Sequence, residues 1–536
     1  MAHFSCHQSI MMDLTQLTQI DVFSVSFGGA VLLLAYFFVL PRKPDSDVPS
    51  PPQSSIIFGN REFATFSWSV EKNPFPEPHI SWLKAYGGVY SFRYLFFRRL
   101  SVADPEAIKH ILVSNAKNYP RGRVPRAILK EFTGGIGLLS SEDPIHNAQR
   151  KMLHPQFTQA KLKTFVSLFA SHAQEFAKML YEALVKDSNS SPIIDMQSDM
   201  TKLSLDIIGD AAFGFDFGAL TNSNPEIMAA FEILNHTPSV SFALGTTFIP
   251  WFDRLPLASI QRRQEAKRLL VGTVDTIIQK RLERASTANS TAPSSINMLD
   301  LMLEATEYTP SPEEARVHVM TFMIAGHETT SNTLAWVWAM LASHPEVEAR
   351  AVKECTSVLV ASNGQLTWDS LGQLEYLTAV IHETLRLHPT VFNVTARSIL
   401  QDDTIPRSKG PPFHVSKGGG IRICIAALHR NPEYWTRPEE FLPDRFIQGT
   451  ELYRADESLR GGRGHTFIFM PFSAGPKNCI GQRFAVAEMQ VVLTTLLTQF
   501  TFKFAPGQYD LTPKFTGVTI KPKQLNMQVA RRVKIT

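Results

Sequence analysis

The chain has 536 residues, 44% hydrophobic and 19% charged, a balance that excludes wholesale disorder and allows a sizeable core. Its formal net charge is +4, with no dense Lys/Arg run interleaved with aromatics, which argues against nucleic-acid binding. A mild basic excess suits an anionic membrane surface or an acidic protein partner. The four cysteines, Cys6, Cys355, Cys424 and Cys479, form no CxxC pair, so neither a zinc knuckle nor a disulfide framework is indicated. Reduced, cytosol-facing chemistry follows. Cys355 and Cys424 lie in apolar surroundings and read as buried small hydrophobes.

The first predicted element is Val22–Leu40. It carries no charge and is just long enough for the roughly 20 apolar residues that cross a bilayer. Arg42 and Lys43 follow it and no Lys or Arg precedes it, which puts its carboxyl side in the cytosol. Residues 1–21 are then lumenal. The Pro-rich stretch 41–60 is predicted to be a stiff linker to one domain over 61–536.

Val89–Leu95 and Leu100–Val102 are predicted strands of a small sheet. Helical periodicity follows over Leu162–Leu184, Leu203–Phe213 and Ile260–Arg284. Phe242–Leu244 and Phe248–Phe252 are expected between two helices and are unusually apolar for a loop, a candidate lipid-contact patch. Ser286–Ser295 reads as a surface loop. Val317–Ser343 is a long apolar helix, predicted to be interrupted by a hydrated kink at Ala325-Gly326-His327-Glu328-Thr329-Thr330. A further helix covers about Leu371–Leu387 and stops before Pro389. Short strands and turns fill the last third, and no linker divides Tyr86–Thr536.

The segment with the most specific chemistry is Phe472-Ser473-Ala474-Gly475-Pro476-Lys477-Asn478-Cys479-Ile480-Gly481. A thiolate that binds iron needs an accessible sulfur on a turn whose free N–H groups temper its charge. Gly475 and Gly481 would let that turn lie close to a flat ring, and a helix over Ala485–Leu497 would point its positive end at the sulfur. The segment resembles the cysteine loop of the cytochrome P450 family. The resemblance extends over roughly 450 residues in the family's order. Glu383-Thr384-Leu385-Arg386 resembles its Glu-x-x-Arg helix. That pattern alone carries little, since Glu265/Arg268, Glu313/Arg316 and Glu457/Arg460 share its spacing. What marks Glu383 is Phe441–Phe446 at the family's distance, which brings in Arg445.

The resemblance implies a mostly α fold with a minor β-sheet, as a single P450-type domain behind one transmembrane helix. It implies haem b with Cys479 as ligand to the iron, and Phe472 and Gly475 beside it. It makes Glu383, Arg386 and Arg445 a buried structural triad. Ala325–Thr330 resembles the oxygen-activation segment, with Glu328 the acid and Thr329 the alcohol of a proton relay. His327 receives no role. His146 and Arg150 resemble a His-x-x-x-Arg pair for the haem propionates, joined by Arg397. Lys477 stands where the family usually has Arg, a point charge instead of a planar fork. Ala325, Val391 and Phe515, with the loop Phe132–Leu138, match substrate-pocket segments by order and distance.

The expected reaction is insertion of one oxygen atom from dioxygen into a lipophilic small molecule, a terpenoid, polyketide or fatty acid. Electrons would come from NADPH through NADPH–cytochrome P450 reductase, with cytochrome b5 an optional second donor, at the endoplasmic reticulum membrane. The style is that of a fungal specialised-metabolism enzyme. The cysteine loop is similar to that of the fatty-acid ω-hydroxylase branch. That branch often has a haem-linked Glu where this chain has Ala325. An isomerase or dehydratase that uses no dioxygen commonly lacks the acid–alcohol pair, which is intact here. A haem-binding sensor would not need it.

Overall fold

The computed structural model describes residues 48–533 apart from 56–58, 61–74, 95–96, 187–190, 236–239, 287–296, 304–309 and 517. Val22–Leu40, Cys6 and nearly all of Ser286–Ser295 lie outside the described residues. Among those described, no helix is long and apolar enough to cross a membrane.

Strands β1 (Val89–Tyr94) and β2 (Phe97–Val102) form an antiparallel hairpin with Val89 opposite Val102, as their alternation predicts. Within the stretch expected to be a stiff linker, described residues pack against this hairpin. The Ser91 N–H donates to Pro49 O at 2.8 Å and the Arg93 N–H to Asn60 Oδ1 at 2.9 Å. Asn60 is fully buried and Val48 nearly so. The packed domain therefore begins by Val48, because the outer edge of β1 needs hydrogen-bond partners.

Helix α1 (Arg123–Thr133) leads through a glycine-rich turn to α2 (Ile145–Leu153). The long α3 (Gln159–Lys186) buries Leu162, Phe165, Val166, Phe169, Phe176 and Leu180, spaced by three, four and seven. Helix α4 (Met196–Phe213) starts earlier than its periodicity suggests because Asp195 caps it, accepting the Ser198 N–H at 3.1 Å. It stops at Gly214, whose φ of 58° suits glycine. Helix α5 (Ala258–Ser286) buries Ile260, Ala266, Leu270, Val274, Ile277 and Ile278 and extends the predicted segment by two residues at each end.

Between α4 and α5 the apolar stretch is only partly a loop. Val240–Phe248 is helical, and a sharp turn follows at Trp251, φ 62°. The turn leaves Phe248, Ile249 and Trp251 exposed, at 53%, 54% and 71%.

The central helix α6 (Pro312–Ser343) starts at a Ser311 cap with Pro312 in its first turn. It is one continuous α-helix through Ala325–Thr330, without the interruption predicted there. The Thr329 hydroxyl does back-bond to Ala325 O, at 2.6 Å. Gly326 serves packing instead of loosening the turn: a Cβ there would lie 2.9 Å from Ile208 of α4. His327 is buried, hydrogen-bonded to Met323 O and edge-on to Phe231.

After α6 come α7 (Glu375–Leu387), β3 (Asn393–Ser398) and β4 (Gly420–Cys424). The last two complete the first sheet in the order β1-β2-β4-β3, with β2 parallel to β4. Helix α8 (Gln482–Leu497) crosses the core, with Phe484 against Phe165 and Phe169. The hairpin β5 (Phe500–Phe515) and β6 (Ile520–Arg531) closes the chain. Its tip reaches α6.

Candidate active site

The candidate site is built from behind, by charges that are wholly dry. Glu383, Arg386, Arg445 and Asp456 have no exposed side-chain surface. Glu383 accepts from Arg386 at 2.7 and 2.9 Å, from Arg445 Nε at 3.0 Å and from the Leu442 N–H at 2.8 Å. Asp456, which the sequence did not single out, accepts from Arg445 at 2.6 Å and from the Thr436 N–H at 2.6 Å. Two carboxylates thus balance two guanidiniums, a buried set stable only because every member is satisfied. Arg386 also holds the carbonyls of His429, Pro438 and Glu440 at 2.6–2.9 Å.

His429 passes this order on to the cysteine segment. Burial first, and then Arg386, lower its pKa to about 3, so the ring is neutral. One ring nitrogen pairs with Leu385 O and the other accepts the Met470 N–H at 2.8 Å. The loop beginning two residues later closes on itself. The Cys479 N–H donates to Phe472 O at 2.9 Å, and the Asn478 N–H to Gly475 O at 3.1 Å. Gly475 has φ 78°, and a Cβ there would come 2.4 Å from Leu112 O, so glycine is required by the protein's own backbone. At Gly481 a Cβ would meet only Phe157, at 3.7 Å.

Cys479 lies deep in the molecule, yet its side chain opens into a cavity. Burial raises its thiol pKa; the Gly481 N–H and the Arg150 charge draw it back down. By contrast Cys355 and Cys424 are buried and their thiols are pushed up, to about 12 and about 11. Phe472 and Ile480 flank Cys479 on the cavity wall. Thr321, Phe322, Ala325, Gly326, Thr329 and Thr330 of α6 form another wall. Leu129, Leu138, Val391 and Val394 close the sides. Phe515 does not reach this wall; it packs edge-on against Phe392, ring centres 5.6 Å apart. Glu328 also turns away from the cavity, toward the tip of the last hairpin.

One part of the wall is polar. Arg121, His146, Arg150, Arg397 and Lys477 all line it. His146 and Arg150 share a face of α2 by their spacing of four. Arg150 spans the Cys479 turn, donating to Asn478 O at 2.8 Å and to its Oδ1 at 2.6 Å. Arg397 is brought in by a bulge in β3 and is bridged to Arg121. Burial, and then Arg121, lower its pKa to about 10, so it stays charged at neutral pH. His146 falls to about 4 through burial, then Arg121 and Lys477, and is a neutral ring. Lys477 is engaged by Glu142, which also accepts the Arg121 N–H at 3.0 Å. Nothing in Asn118-Tyr119-Pro120-Arg121 marks Arg121 as a site residue: the bridge to Arg397 decides it.

A buried triad behind a cysteine turn, and an open thiol facing a long helix, define a class before any comparison is made. The family model described as Cytochrome P450 matches residues 49–529. The chain belongs to the cytochrome P450 family, a family of haem enzymes. It is similar to cytochrome P450 monooxygenase acrF of Aspergillus aculeatus, 31% identical over 76% of this chain and 82% of that one. Cytochrome P450 monooxygenase sphH of Aspergillus fumigatus is 28% identical over 94% and 92%. Cytochrome P450 monooxygenase 205 of Postia placenta is 28% identical over 92% and 94%.

Proposed function

We propose that this chain is a haem-thiolate monooxygenase in which Cys479 ligates the iron and a lipophilic small molecule occupies the cavity beside α6. The observation that carries the reading is an open thiol and an unmet set of cations on the walls of one cavity. Among the described residues, Glu142 and Asp143 are the carboxylates whose charge acts on Arg121, and the cations Arg121, Arg150, Arg397 and Lys477 outnumber them, an excess that the propionates of haem would offset. Arg397 Nε and both ring nitrogens of His146 are buried with no hydrogen-bond partner among the described residues. Such groups call for a guest. These residues fit haem.

When bound, haem supplies an iron centre that activates dioxygen for transfer of one atom to the substrate. The chain supplies the rest. Arg121, Arg397 and Arg150 would hold the propionates by charge, and neutral His146 by a hydrogen bond. Lys477, already paired with Glu142, would contribute chiefly long-range charge. The Thr329 hydroxyl would give up its bond to Ala325 O to donate toward the cavity, with Glu328 replenishing protons behind it. Ala325, Val391, Val394 and Leu138 offer apolar contact, which supports a terpenoid, polyketide or fatty-acid substrate. Ala325 has no carboxyl for a covalent link to haem. The names of the three fungal relatives support the reaction class.

The same reading makes Val22–Leu40 the anchor in the endoplasmic reticulum membrane, with the domain in the cytosol. NADPH–cytochrome P450 reductase delivers electrons, with cytochrome b5 as a second donor. The exposed Phe248, Ile249 and Trp251 support an additional lipid contact. The test is a screen of lipophilic compounds for consumption of NADPH and dioxygen with matching product, in the presence of reductase. Turnover without dioxygen would replace this reading with an isomerase or dehydratase.

A further inference from the structure

The acid proposed for the proton relay is held by a part of the fold far away in sequence. Glu328 Oε1 accepts from the Thr516 hydroxyl at 2.6 Å and from the Thr519 hydroxyl at 2.7 Å. The two hydroxyl oxygens are themselves 2.6 Å apart. Three oxygens therefore form a closed triangle of hydrogen-bond length on every edge. Each threonine oxygen has one hydrogen and two lone pairs, so with Glu328 ionised the two hydroxyl hydrogens fill two of the three edges at a time, and both can point at the carboxylate.

The triangle is braced from two sides. Asn332, one turn along α6 from Glu328, donates to Thr519 Oγ1 at 2.9 Å. Gln197 of α4 in turn donates to Asn332 Oδ1 at 2.8 Å. The tip itself is closed by the Thr516 N–H on Thr519 O at 2.9 Å. Both threonine hydrogen bonds to Glu328 fall on Oε1, and Lys521 of β6 lies near enough for its charge to act on the carboxylate. Two hydroxyls, an amide and a hairpin turn thus fix one carboxyl oxygen.

We propose that Thr516 and Thr519 are positioning residues for the proton relay: they hold Glu328 by one oxygen and so set where its other oxygen delivers a proton. This rests on the reading of Glu328 as the relay's acid. It adds residues that no sequence motif marks, since the triangle exists only where the β5–β6 tip meets α6.

The test uses the full-length haem-loaded protein with its reductase, and any compound that turns over in the substrate screen. Thr516→Val with Thr519→Val keeps shape but removes both hydroxyls. Product per NADPH is expected to fall severalfold and peroxide to rise. The substrate-induced spectral shift and the ferrous-carbonyl band are expected to stay as in wild type. Thr516→Ser with Thr519→Ser should restore coupling. In the Glu328→Gln background the valine pair should cost nothing further, because the threonines act only through that carboxyl. In the resting protein, infrared difference spectra against Glu328→Gln should show the carboxyl band shifted by the valines and returned by the serines. Wild-type coupling in the valine pair, or losses that add to those of Glu328→Gln, would overturn the proposal. If Glu328→Gln alone couples like wild type, the acid reading itself fails, and this proposal with it.

Discussion

Two buried charged regions of this molecule are built on opposite principles. Behind the cysteine loop, every polar atom of Glu383, Arg386 and Asp456 engaged in the lattice meets a partner, and two negative charges offset two positive ones. Beside the cavity, four cations outnumber the carboxylates, and Arg397 Nε and the His146 ring have no hydrogen-bond partner among the described residues. The first arrangement is finished by the chain alone and fixes backbone. The second is left incomplete, at a cost in folding, because a ligand completes it. The two sets differ in satisfaction as well as in charge, although Arg460, beside Asp456, also leaves Nε and Nη1 without a partner among the described residues.

The sharpest break of that comparison is at the thiol between the two regions. Cys479→Ser should abolish the red-shifted band of the ferrous carbonyl complex, since a hydroxyl is a poor substitute for thiolate on iron. An unchanged band in this variant would remove Cys479 from the iron.

Breaking the finished region should destabilise the fold itself. Glu383→Gln strips one partner from a fully buried set, and about 3–5 kcal/mol is expected from such a loss. The matched change Glu265→Gln, on an exposed face, should shift stability by less than about 0.5 kcal/mol. Denaturant titration of both variants tests the contrast, and equal shifts would sink it.

Breaking the unfinished region should do the reverse. Arg397→Leu removes an unsatisfied buried cation, so the haem-free protein should be as stable as wild type or more so. The loaded protein should lose haem faster to a scavenger apoprotein. A destabilised haem-free variant that retains haem normally would place Arg397 with the structural charges.

A further contrast concerns a single buried acid between α4 and α8. Glu488 is buried with the Ser204 hydroxyl on it at 2.9 Å, and burial pushes its pKa up to about 8 from an ordinary 4.5. The folded state therefore holds a proton that the unfolded state releases. The stability this contributes is present in full below about 4.5 and is lost as pH rises to about 8. Glu488→Gln should flatten that slope in pH-dependent melting curves; an unchanged slope would assign it to other groups.

Local pattern made much of this molecule legible. The spacing of apolar residues gives α3, α6 and α7, because helix faces repeat every three to four residues whatever they pack against. The cysteine turn is legible too, since its phenylalanine, glycines and thiol are neighbours in the chain. Even so, α6 runs straight through Ala325–Thr330, because Gly326 answers Ile208 of another helix and not a kink in its own.

Tertiary structure alone decided which charges matter. Five Glu-x-x-Arg pairs look alike in the sequence; among them only Glu383 and Arg386 are fully enclosed, by segments more than forty residues further on. Asp456 reads as an ordinary surface acid on a short helix until Arg445 folds against it. Arg121 becomes a cavity cation only through its bridge to Arg397, and Glu328 meets Thr516 and Thr519 across nearly two hundred residues. Periodicity is a property of neighbouring residues and survives in the sequence. Whether a charge finds a partner depends on chain segments that meet only once the fold has formed.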